Sequence, residues 1–94
     1  MQFAYLLRPA FDRALVARAT PDEREILDRH GAYLERLHAE GRVLFAGRCW
    51  DGPFGIVVFE ATDEDEARGL VAEDPSVRLG IQTAELYPFD VVLR

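Results

Sequence analysis

An α+β sandwich, one antiparallel sheet covered by two helices, is the fold class this sequence predicts. Three observations carry it. Two stretches show helical periodicity with a cap at their start, four short stretches are β-rich and apolar, and together they run in the order β, α, β, β, α, β. Ninety-four residues supply one core, so 1–94 reads as a single domain.

Residues 2 to 8, QFAYLLR, alternate Phe3, Tyr5 and Leu7 against Ala4 and Leu6, which gives a strand with apolar side chains on both faces. Residues 9 to 19 open with Pro9 and precede a helix cap. They read as a connection with a helical turn around Arg13 to Ala17, and a connector of this length is expected to cover a site. Thr20 to Gly41 is the clearest helix: Thr20 and Glu23 form a Thr-x-x-Glu capping box, Pro21 suits the first helical position and Gly41 is the stop. At about 100° per residue, Ile26, Leu27, His30, Tyr33, Leu34 and Leu37 share one arc with His30 near its centre.

The run RVLFAGRCW, residues 42 to 50, is β-rich, Asp51-Gly52-Pro53 turns the chain, and Phe54 to Ala61 returns as the second strand of a hairpin. Thr62 or Asp63 then caps a helix whose acidic first turn suits the helix dipole and which Pro75 ends. Ala67, Leu70, Val71 and Asp74 share one face of it, placing Asp74 in the last turn. Residues 75 to 81 form a tight helical turn closing at Gly80. The last strand, Gln82 to Leu93, contains Pro88, which implies an edge position or a bulge.

This order is that of a ferredoxin-like, split βαβ sandwich, with a four-stranded sheet and both helices on one face. The first and third strands are apolar on the uncovered face too, and the simplest cover is a second copy of the chain, so a homodimer packed sheet to sheet is expected. The same topology sends the first helix away from the sheet end where the second arrives. His30 and Asp74 then sit towards one end, under the 9 to 19 connection.

Composition narrows the chemistry. A net charge of −6 argues against nucleic acid and anionic membrane as partners, and no apolar run approaches the length of a membrane span. The N-terminus enters a strand-like run without a secretory pattern, and the single Cys49 has no internal disulfide partner, so a cytoplasmic location is expected. With no lysine in the chain, Schiff-base chemistry and a GxxxxGK[ST] phosphate loop are excluded. No GxGxxG is present either, and no cofactor is expected.

A histidine on a buried helical face needs partners for its ring nitrogens. One reading is a structural histidine satisfied by a backbone carbonyl; the other pairs His30 as general base with Asp74 as its orienting carboxylate. An unperturbed imidazole titrates near pH 6.5, close to working pH, which suits proton abstraction from a phenol, a carbon acid or water. His38 lies roughly 80° from His30 around the helix, and the i, i+4 spacing of zinc-binding pairs is absent, so no metal site is expected. Cys49 reads as packing in preference to a nucleophile. Tyr5, Phe11, Tyr33 and Trp50 are candidates to line an aromatic pocket, with plain core as the alternative. Arg8 and Arg48, near strand ends, are candidates to bind an anionic substrate, with solvation as theirs.

The strand FAYLLRP, the segment RHGAYLERLHAEGRVLFAG, the acidic start TDEDEA, the EDP tripeptide and the terminal YPF together resemble the YCII-related proteins, a branch of the dimeric α+β barrel group. The match spans essentially the whole chain. The resemblance implies a ferredoxin-like dimer whose cleft holds a histidine and aspartate dyad, here His30 of RHGAYL and Asp74 of EDP. One branch of that family includes a dehydrochlorinase of chlorinated hydroxyaromatics, which implies cofactor-free proton-transfer chemistry on a small molecule. A non-catalytic ligand-binding module using the same cleft is the alternative. The family usually follows its Ala-Gly turn with proline, whereas here Ala46-Gly47 leads into Arg48, Cys49 and Trp50, a change expected to reshape the pocket.

Overall fold

The structure, a computed structural model, describes residues 1–10 and 18–94; Phe11 and the helical turn expected at Arg13 to Ala17 lie outside these residues. In chain order the elements are β1 (Gln2–Pro9), α1 (Pro21–Ala39), β2 (Val43–Arg48), β3 (Gly55–Glu60), α2 (Glu64–Glu73), α3 (Pro75–Arg78) and β4 (Gln82–Pro88). The strands form one antiparallel sheet in the order β2-β3-β1-β4. The apolar strands β1 and β3 take the centre, and the proline-containing β4 takes an edge, where a missing N–H costs no ladder bond. β4 ends at Pro88, five residues short of the Leu93 expected from composition. Beyond it the backbone is tied to Gln2, from Phe89 N–H to its carbonyl and from Val91 N–H to its side chain.

Helix α1 begins where its capping box dictates. Thr20 Oγ1 accepts from the Glu23 N–H at 3.2 Å while Glu23 Oε1 accepts from the Thr20 N–H at 3.0 Å. Gly41, at φ 80°, turns the chain out of the helix towards β2, a conformation that glycine adopts without a Cβ clash.

Phe3, Tyr5 and Leu7 of β1 and Val57 and Phe59 of β3 pack with Tyr33 and Leu37 of α1 and Ala67, Leu70 and Val71 of α2 in one buried cluster. Both helices therefore cover the same sheet face. Cross-strand partners on this face, Phe3 with Phe59 and Tyr5 with Val57, set the register. The Tyr5 ring meets Phe59 edge-on at 5.7 Å, which fixes the direction of its hydroxyl. Tyr33 ties the two helices together by donating to the Leu70 carbonyl at 2.5 Å.

Alternation sends Ala4 and Leu6 of β1, with Val58 and Ile56 opposite them, to the other face. A bulge between Val43 and Phe45 places Phe45 opposite Val58, while Tyr87 of β4 stands opposite Ala4. Phe45 and Tyr87 remain 47% and 45% exposed, so this face carries aromatic surface open to water. No helix among the described residues is long and apolar enough to cross a membrane.

The capping box should be measurable. Thr20→Ala removes one side-chain acceptor from the first turn and is expected to lower stability by about 1 kcal/mol, read as a lower urea midpoint with unchanged slope.

Candidate functional site

The site is built around a break between two helices. Asp74 does not lie in the last turn of α2, as its spacing from Leu70 and Val71 implies; it closes α2 and caps α3 with an extended backbone, φ −59° and ψ 121°. Pro75 is the reason. A residue before proline is driven out of the helical region, and proline itself suits the first position of the helix that follows. The result is a carboxylate that acts as a helix cap and, being 0% exposed, lies wholly inside the protein.

A buried carboxylate must be fully hydrogen-bonded, and this one is. Oδ1 accepts from the Ser76 N–H at 3.0 Å and the Ser76 hydroxyl at 2.9 Å, and Oδ2 accepts from the Tyr5 hydroxyl at 2.8 Å. His30, from the middle of α1, brings Nδ1 to 2.7 Å and 2.8 Å from the two oxygens. The Ser76 hydroxyl also lies 3.4 Å from Nδ1. The donors thus come from β1, α1 and α3, so the sheet, the long helix and the short helix all converge on one side chain.

Burial by itself would raise the pKa of Asp74. The hydrogen bond and charge of His30 act against it, followed by the Tyr5 hydroxyl and the Ser76 N–H, and the net direction is downward. Tyr5 moves the opposite way, raised first by burial and then by the neighbouring Asp74 charge, so it stays a protonated donor. An ionised carboxylate can only accept, so the proton of a neutral His30 ring must sit on Nδ1. Its Nε2 then carries the free lone pair.

His30 is 17% exposed at its side chain and contributes to the lining of a cavity of about 440 Å³ between α1 and the sheet. Apolar walls come from Leu27 and Leu34 of α1, Leu7 of β1 and Val57 of β3. Arg24, Asp28, Arg48, Cys49 and Gln82 add polar groups. A cavity of this size and make-up, mostly apolar with a few convergent polar groups, fits a small organic molecule. Gln82 Oε1 is the buried side-chain atom among the described residues that lacks a hydrogen-bond partner. No group of three or more histidine, cysteine, aspartate or glutamate side chains among them is placed to hold a metal.

Of the residues singled out from the sequence, the structure brings His30 and Arg48 to the cavity and sets Asp74 directly behind His30. Arg48 takes up the end of β2, so the departure from the Ala-Gly-Pro pattern falls on the cavity wall. The remaining candidates among the described residues go elsewhere. Tyr5 is 2% exposed and directed at Asp74. Tyr33 spends its hydroxyl on Leu70, and burial, then the Glu73 and Asp74 charges, push its pKa up to about 12. Arg8 pairs with Glu85, and Trp50 is 96% exposed beyond the hairpin strand. Phe11 lies outside the described residues.

Sequence reasoning missed two parts of the site. Ser76 went unused although Asp-Pro-Ser carries a signal: an aspartate before a proline at a helix start is a cap whose carboxylate accepts from the residue two positions on. Tyr5 was expected at a pocket wall or in plain core, and nothing local specifies that its hydroxyl ends on Asp74, 69 positions away.

A family model described as the YCII-related domain matches residues 1–90. Among solved structures, the chain is similar to 5-chloro-2-hydroxyhydroquinone dehydrochlorinase (TftG) from Burkholderia phenoliruptrix AC1100 in complex with 2,5-dihydroxybenzoquinone. The identity is 22% and the TM-score 0.70, with 96% of this chain and 94% of that chain covered. The likeness is one of fold. No curated protein matches.

The lowered pKa of Asp74 has a consequence for stability. A depressed carboxylate stabilises the fold above its unfolded pKa, near 3.9, and that contribution is lost as pH falls through the folded value. Asp74→Asn is therefore expected to cost about 2 kcal/mol at neutral pH, a gap that stays level down to roughly pH 4 and narrows below it. Urea denaturation of both proteins across that range checks this; a gap undiminished in acid would contradict it.

Proposed function

The chain belongs to the YCII-related domain family, and from that premise and the placement of His30 we propose that it is a small acid–base enzyme acting on a ring-sized, hydroxylated molecule in the α1 cavity. The observation that carries the reading is the His30–Asp74 pair. One imidazole nitrogen is held at 2.7 Å by a buried carboxylate while the ring contributes to an apolar cavity wall.

In this reading Nε2 takes a proton from a hydroxyl or an acidic C–H of the ligand. The electron pair left behind moves into the conjugated ring, where it forms a new double bond as a leaving group departs with its own pair, or shifts an existing one in an isomerisation. Asp74 balances the charge of the imidazolium until the proton passes to product or water. Tyr5 and Ser76 touch no substrate; they hold the carboxylate, which in turn holds the ring. The similar dehydrochlorinase, bound to 2,5-dihydroxybenzoquinone, supports a hydroxylated ring as the class to screen first.

Two finer parts belong to the same reading. The exposed Phe45 and Tyr87 flank the small Ala4 and Val58 on the uncovered sheet face, which supports a second copy of the chain packing there. A reducing compartment such as the cytoplasm fits the lone Cys49.

The test is a screen of hydroxylated and halogenated benzenes and benzoquinones, following absorbance and chloride release. On any substrate found, His30→Ala and Asp74→Asn are each expected to lower kcat at least about a hundredfold with the folded spectrum retained. Turnover surviving both would remove the dyad and leave the cleft a binding site. Light scattering at micromolar concentration is expected to give twice the chain mass, and a folded monomer would refute the sheet-to-sheet pairing.

A further inference from the structure

We propose that the cavity is selective for anions: its ligand is a small aromatic or conjugated molecule carrying an ionised oxygen substituent, bound by Arg24 and Arg48. The proposal rests on the reading of the α1 cavity as the functional site and adds the charge class of what enters it.

Several arginines among the described residues are committed to carboxylates. Arg8 pairs with Glu85, Arg36 lies 3.9 Å from Glu40, Arg42 lies 2.9 Å from Glu66 and Arg68 lies 2.9 Å from Glu64. Arg24 and Arg48 have no carboxylate at ion-pair distance among the described residues, and both line the cavity that His30 lines. They reach it from different elements, Arg24 from the first turns of α1 and Arg48 from the end of β2. The chain as a whole carries a net charge of −6, so a cavity lined by two guanidinium groups that have no ion pair among the described residues runs against the average surface. An anion would be repelled over most of the molecule and attracted here.

Asp28 lines the same cavity one helical turn beyond Arg24 without closing an ion pair to it. It lowers the local positive potential but leaves both guanidinium forks free to donate. Guanidinium donors match the planar geometry of a carboxylate or of two adjacent ring oxygens, and charge-assisted hydrogen bonds of this kind are the stronger class. Leu7, Leu27, Leu34 and Val57 supply the apolar wall that an aromatic body needs. Charge at the rim and apolar side chains along the wall together describe a ring with an anionic substituent.

Binding alone tests this, by NMR titration at neutral pH with two pairs of probes: benzoate against neutral benzamide, and 4-nitrophenolate against neutral 4-nitroanisole. The anion of at least one pair is expected to shift the His30 ring signals at millimolar concentration and to bind about tenfold tighter than its neutral partner. Which pair responds tells a carboxylate from a ring oxyanion. Arg24→Gln and Arg48→Gln are each expected to weaken the anion roughly threefold to tenfold, whereas Asp28→Asn, removing a like charge, should strengthen it. Equal affinity for anion and neutral partner, no binding of either anion, or an Arg24→Gln/Arg48→Gln double variant with unchanged affinity would overturn the proposal. Because the readout is binding, anion selectivity stands or falls independently of whether His30 turns anything over.

Discussion

The hydrogen bonding of Asp74 is the constraint on which the rest of the site depends. A carboxylate with no exposure to solvent is costly to bury unless donors replace its water, and here they are the Ser76 N–H and O–H, the Tyr5 O–H and the His30 Nδ1–H. Each donor is placed by a different part of the fold. The short helix α3 exists in the position that lets Asp74 cap it, β1 delivers Tyr5 through a ring packed edge-on against Phe59, and α1 delivers His30 from its middle. Shifting any of these elements would strand a charged acceptor in the interior.

That arrangement also decides the state of the histidine. With every Asp74 contact accepting, the imidazole has one orientation and one neutral tautomer, and the nitrogen not bound to the carboxylate is the one free for chemistry. The surroundings then fix what the nitrogen can meet. Leucine and valine side chains form an apolar wall, while Arg24 and Arg48 stand where the start of α1 and the end of β2 approach. The protein therefore holds the imidazole against a buried carboxylate and its exposed charges at the mouth.

Most of the architecture was legible in the sequence because each element carries its own local signal. Thr20 with Glu23, Asp63 before an acidic turn, and the alternation of Phe3, Tyr5 and Leu7 all act within a few residues, and the structure follows them. The pairing of His30 with Asp74 was legible for a related reason: both occupy positions where apolar residues belong. Its means was not, because the helical spacing of Asp74 hid that Pro75 forces it out of the helix and makes it a cap. Aromatic residues were harder to read. Tyr33 and Trp50 differ in fate by nearly the full range of exposure, 7% against 96%, and nothing in their immediate neighbours separates an interhelical bond from a solvated hairpin end.

The hairpin between β2 and β3 lies at a sheet edge, away from Asp74 and its donors, yet Arg48, Cys49, Gly52 and Phe54 form part of the cavity wall. Substitutions there touch neither the buried carboxylate nor the core cluster, and distant sites in a protein act nearly additively. Substitutions on that hairpin therefore change the shape and charge of the cavity wall while leaving the His30–Asp74 hydrogen bonds as they are.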